Sequence, residues 1–148
     1  MSKFCQSKYK PSYPQKYKGD PNNIICRSSW ERKFCKWCDL NSNVLSWASE
    51  EFSIPYVSPV DRKVHRYFPD YLVKVREQND KVKTYVVEVK PKKQTLPPKQ
   101  TTKKRSRTYI NEVKTYAVNQ AKWKAAEEFC LDNGVKFLLV TEDQLGIK

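Results

Sequence analysis

Glycine is scarce in this chain: Gly19, Gly134 and Gly146 are the only three in 148 residues. Loops that cradle nucleotide phosphates need several closely spaced glycines, so that bare backbone can approach the anion. Three isolated ones exclude a P-loop ATPase. Histidine is scarcer still. His65 stands alone, which leaves little for a Ser/His or Cys/His nucleophile or for a histidine-bound metal. Set among Arg62, Lys63 and Arg66, it reads as a DNA contact or a surface residue. No stretch approaches the roughly 18–20 apolar residues of a spanning helix, and no basic amphipathic anchor stands out, so no membrane partner is expected. The polar start, residues 1–10, lacks the apolar centre of a secretion signal, and a reducing compartment follows for the five cysteines. Cys35 and Cys38 form a CxxC that Cys5 and Cys26 would complete as a four-thiolate zinc site. A second closely spaced pair is missing, and packed free thiols are the better expectation.

Acidic residues are also short in supply. Sixteen Asp and Glu face 29 Lys and Arg, a formal net charge of +13. Such an excess favours a polyanion, because each neutralised phosphate releases condensed counterions. The apolar share is low at 39% but the aromatic share is high at 13%, enough for one modest core and not for two. One domain spanning residues 1–148 is therefore expected, with nucleic acid as its partner. Two segments concentrate the charge. Residues 1–27 have no acid before Asp20 and interleave Lys16, Lys18 and other lysines with prolines and tyrosines, a pattern for an extended basic arm, either a tail or a strap along DNA. Residues 91–107 form a basic loop in which Lys92, Lys93, Lys103, Lys104, Arg105 and Arg107 are candidate phosphate contacts.

The element pattern is that of an α/β fold. A helix starts at Ser28 or Ser29, where Ser28 and Glu31 have capping-box spacing, and ends near Asn41. Strands are expected over 51–57, over 64–75 with an interruption at Pro69, and over 82–90, with a turn at Asn79-Asp80. A long helix follows from about 108 to 132, its apolar side marked by Val113, Ala117, Ala121 and Ala125, with Gln120 placed on that side. A buried strand over 135–140 and a turn capped by Thr141 close the chain.

Chemistry concentrates at the end of the strand over 82–90. Glu88 and Lys90 project from the face of Val86, opposite Val87 and Val89. Counting back from the Asn79-Asp80 turn sets Asp70 opposite Glu88 within a residue or two, with facing Cβ atoms about 4.5–5.5 Å apart. Two carboxylates that close repel unless a cation sits between them, and Mg²⁺ favours one or two carboxylates with waters and a phosphate. Asp70 and Glu88 are thus candidate metal ligands. Lys90 is then the general base or the charge stabiliser of a phosphodiester hydrolase, with Mn²⁺ as a substitute ion.

Pro69-Asp70 followed by Glu88-Val89-Lys90 resembles the PD-(D/E)XK nuclease motif, and the element order resembles that superfamily's α-β-β-β-α-β restriction-endonuclease-like core, a mixed sheet flanked by helices. Ser29-Trp30-Glu31, Glu50-Glu51, Ile54-Pro55-Tyr56 and Arg66-Tyr67-Phe68-Pro69-Asp70 are similar to its TnsA-like branch. Within that branch, Tyr17-Lys18-Gly19-Asp20-Pro21 and Ala48-Ser49-Glu50-Glu51 resemble the head-completion nucleases of T-even-type bacteriophages. The resemblance implies an endodeoxyribonuclease that processes phage DNA during head completion before tail joining, in the host cytoplasm or the phage head. It allows phage head and neck proteins as partners beside DNA. It also gives Glu31 a place at the metal, against the capping-box reading of the same residue. The rival class is a non-catalytic virion protein that holds DNA on a nuclease fold.

Overall fold

The computed structural model describes residues 7–99 and 107–146. Strands β1 (Ser7–Lys8) and β2 (Ile25–Cys26) pair with each other ahead of helix α1 (Ser29–Leu40). Strand β3 (Val44–Ser49) follows, then β4 (Ile54–Val57), β5 (Val64–Tyr67), β6 (Tyr71–Arg76) and β7 (Val82–Val89). Helix α2 (Arg107–Asp132), strand β8 (Lys136–Val140) and the short helix α3 (Glu142–Leu145) complete the order. Among the described residues no helix is long and apolar enough to cross a membrane.

Helix α1 begins where its sequence asks for it. Ser28 is extended and its hydroxyl accepts the Glu31 N–H at 3.1 Å, satisfying one of the free donors of the first turn. Its inner face buries Phe34, Cys35 and Cys38. The central sheet runs β3-β6-β7-β8, antiparallel except for the parallel pair β7/β8, and is therefore mixed. Asp80, left-handed at φ 63°, makes the tight turn that locks β6 to β7 in the register Tyr71↔Val87 through Arg76↔Val82. One sheet face meets α1 through Tyr71, Val73, Val87 and Val89. On the other face, Phe137 and Leu139 pack in the cluster that Trp123 and Ala126 of α2 form with Ile54 and Tyr67. The α-β-β-β-α-β core is thus α1, β3, β6, β7, α2 and β8.

Its strands are not all the expected ones. The segment 51–57 does not enter the central sheet. Its ordered part, β4, pairs antiparallel with β5 as a separate hairpin. The strand expected over 64–75 is two strands in two sheets, since Pro69 cannot donate to a ladder and the chain changes direction there. The first core strand is β3, which the sequence reading passed over.

The largest correction concerns the first segment. Over its described part, 7–27, it is no extended arm but part of the core: Tyr9, Tyr17, Ile24 and Cys26 are buried. Tyr17 meets the buried Trp47 edge to face at 4.8 Å. Gly19 is obligatory, because an added Cβ would collide with the Glu51 carboxylate and the Tyr17 ring. Buried Asp39 accepts the Tyr9 hydroxyl at 2.7 Å and the backbone N–H groups of Ser12 and Tyr13. Lys16 is likewise corrected as a DNA contact. Its ammonium donates to the carbonyls of Cys38, Asp39 and Asn41 at 2.8–2.9 Å, the acceptors left open where α1 ends. Lys18 keeps an exposed side chain, while its N–H donates to Trp47. Cys26, Cys35, Cys38 and Cys130 are buried free thiols, and Cys5 lies outside the described residues.

Candidate active site

The site grows from the register of β6 and β7. One step beyond Tyr71↔Val87, Asp70 stands across from Glu88. The Val89 N–H donates to Asp70 Oδ2 at 2.8 Å and fixes that carboxylate at the strand end. Glu88 is 5% exposed, on the same strand face as the buried Val86. The Tyr67 hydroxyl donates to its Oε1 at 2.6 Å, and the Lys90 ammonium lies 3.6 Å from its Oε2. Asp70, Glu88 and Lys90 therefore meet in one place.

Their electrostatics are strained in a telling way. Burial first, and then the facing Glu88 charge, push the Asp70 carboxyl well above the usual carboxylate range, against the pull of the Val89 N–H. Burial also raises Glu88, opposed by the Tyr67 hydroxyl and by Lys90 and Lys122. A buried carboxylate pair of this kind gains most from an added positive charge. The donor set, two oxygens-only side chains at a strand end, suits a hard divalent cation that keeps several waters. Among the described residues no group of three or more Asp, Glu, His or Cys side chains forms a cage by itself.

Glu31 stands between two uses. Its N–H is the capped donor of α1, and the Ser28 hydroxyl reaches its Oε2 at 3.4 Å. Burial raises its pKa, opposed by the Arg27 N–H and the Arg27 charge, and its own charge bears on Asp70. Arg27 in turn pairs with Glu50, whose φ of 55° turns the chain out of β3.

The basic candidates are dispersed. Lys92 is tied to α3, its N–H on Glu142 Oε1 at 2.7 Å and its ammonium 3.3 Å from Asp143. Lys93 is exposed on the 3-10 turn Lys92–Thr95, and Arg107, also exposed, opens α2. Lys103, Lys104 and Arg105 lie outside the described residues. His65 is exposed and bonded to Asp61 at 2.7 Å.

Two neighbours of these carboxylates escaped the sequence reading. Tyr67 reaches Glu88 from the β4–β5 hairpin, which no local pattern announces. Lys122 of α2 feels the charges of Lys90, Glu88 and Asp70. The alanine stripe misplaced the helix phase: its buried residues are Asn119, Trp123, Ala126 and Cys130, and Gln120 is exposed. A wheel centred on Trp123 would have set Lys122 on the flank facing the sheet.

Comparison with known proteins places this geometry. The family model of the TnsA-like endonuclease N-terminal region matches residues 41–142, a span that holds Asp70, Glu88, Lys90 and Lys122 but not Glu31. The head completion nuclease of Enterobacteria phage T4 is 39% identical over 142 residues, which cover 93% of this chain and 91% of that protein. No solved structure matches significantly. With a mixed sheet between helices, two carboxylates and a lysine at the end of its central hairpin, and a match across most of its length, the chain belongs to the TnsA-like endonuclease family.

Proposed function

We propose that this protein is a metal-dependent DNA endonuclease that processes phage DNA during head completion, before the tail is joined. The observation that carries the reading is the meeting of Asp70, Glu88 and Lys90 at one strand end, with both carboxylates destabilised by burial and Asp70 also by the Glu88 charge. The relative named as a head completion nuclease supports the biological setting.

Asp70 and Glu88 would hold Mg²⁺, or Mn²⁺ in its place, while Glu31 adds a negative charge that bears on Asp70. The bound cation supplies Lewis-acid polarisation of the phosphate and a more acidic water. The protein's own groups do the rest. The Val89 N–H keeps Asp70 in position, and Tyr67 holds one Glu88 oxygen so that the other faces Lys90. Lys90, a cation beside the reacting phosphate, stabilises the charge that builds on the pentacovalent centre. Lys18, Lys93, Arg107 and the exposed Arg62, Lys63 and Arg66 of the hairpin would grip the backbone without reading sequence, joined by Lys92, Lys103, Lys104 and Arg105 of the basic loop.

The test is nicking of supercoiled plasmid in Mg²⁺ and Mn²⁺ by the native chain, Asp70→Ala and Lys90→Ala. Cutting by the native protein alone, with all three still retarding DNA on a gel, is the expected result. Equal cutting by all three would place the activity elsewhere. Binding without cutting by any would favour a virion protein that holds DNA on a nuclease fold.

A further inference from the structure

Lys122 is half-buried on α2, beside the buried Trp123, at the joint between that helix, the β4–β5 hairpin and the sheet. Its ammonium lies 5.8 Å from the centre of the Tyr67 ring and 5.9 Å from that of Tyr56. Tyr67 is also the residue whose hydroxyl holds Glu88, so one ring positions a candidate ligand with its hydroxyl and a cation with its face. Among the described residues Lys122 makes no ion pair within 4 Å. Burial disfavours the charged lysine and the Lys90 charge adds to that, while the Glu88 and Asp70 carboxylates favour it without forming a direct ion pair. Aromatic faces offset only part of the burial cost. Once a divalent cation takes the two carboxylates, the two lysines beside them are left with positive charge to offer an anion.

We propose that Lys122 and Lys90 form a seat for a DNA backbone phosphate at the point of cleavage, with Tyr56 and Tyr67 fixing Lys122 in place. The seat rests on the nuclease reading above. Asp70 and Glu88 are then left to the metal, and the second lysine is free for the substrate. The seat also explains why the hairpin is inserted here: without Tyr56 and Tyr67 a long lysine stem would sample many rotamers, and binding would have to order it.

The experiment measures binding of the full chain to a short DNA duplex in Ca²⁺, as a function of salt, for the native protein, Lys122→Gln and Lys122→Arg. Loss of one phosphate contact lowers the slope of log affinity against log salt by about 0.9. That decrease is expected for Lys122→Gln, with the slope restored in Lys122→Arg. Cutting by Lys122→Gln in Mg²⁺ is expected to drop about 10²-fold, the usual effect of deleting one charge-stabilising donor. Lys122→Met keeps the stem against the rings and repeats the measurement if the glutamine variant melts early. An unchanged slope and affinity in the uncharged variants would overturn the seat. If Asp70→Ala abolishes cutting while the uncharged variants keep the native slope, the nuclease site stands and only the seat falls. If Asp70→Ala cuts like the native chain, the site itself is wrong.

Discussion

Asp70 is destabilised by the company it keeps, and this makes its carboxyl responsive to added positive charge. Burial and the Glu88 carboxylate raise its pKa, and burial raises that of Glu88. An acid with a higher pKa in the folded chain binds protons more tightly when folded. The stability it contributes is complete below the unfolded carboxylate value and is lost as pH rises through the folded value. With metal chelated, melting temperature should therefore fall as pH climbs from the ordinary carboxylate range toward neutrality, and Asp70→Asn should flatten that fall. Mn²⁺ at about 100 times its dissociation constant should restore about 2.7 kcal/mol to the native protein and little to the variant. Calorimetry across pH with and without the ion checks both. A native profile no steeper than that of Asp70→Asn would contradict the account. This residue pair was legible in the sequence because a short turn fixes its register: once Asn79-Asp80 bends the chain, alternation does the rest. Tyr67 was not legible, since its reach to Glu88 depends on how a hairpin packs, and Lys122 showed only as a flank of α2 once the helix phase is set by Trp123.

At the scale of the element, α1 is held at both ends by different means, and only one of them is local. Ser28 caps the start from one residue away, which is why the sequence shows it. Lys16 closes the other end from 22 to 25 residues away, and in the sequence it looks like any lysine in a basic run. The same blindness hid the fate of Tyr9 and Tyr17, which read as arm and serve as core. Lys16→Met should lower stability by about 2 kcal/mol, since charged hydrogen bonds are worth about 1.5–3 kcal/mol each and do not add fully. Its salt slope for DNA should stay native. Urea unfolding and the same binding titration separate the two roles. A change in salt slope with little change in stability would return Lys16 to the DNA surface. Helix α2 shows a related limit. Alanine at every fourth position suggests a face, but burial follows the large ring of Trp123, and the phase shifts accordingly.

The whole molecule depends on a parallel strand made late. β8 pairs with β7 from Tyr85↔Lys136 to Val89↔Val140, and the Val140 carbonyl accepts the Lys90 N–H at 3.0 Å. The strand end that presents Glu88 and Lys90 is therefore clamped by residues some fifty positions downstream. The buried apolar character of 135–140 announced a strand in the sequence, but not its parallel partner. A chain ending at Gly134 should show neither cutting nor cooperative unfolding, because β7 would become an open apolar edge. Plasmid nicking and circular dichroism on that truncation check this, and a truncated chain that still cuts would refute it.

The order of synthesis gives β8 one more meaning. A ribosome releases β6 and β7 well before it releases their parallel neighbour, and long-range pairing is slow to form. While the chain is still being made, the strand that carries Glu88 and Lys90 has no clamp at its end. The end of β7 that presents Glu88 and Lys90 is thus complete only after the last strand of the sheet has docked.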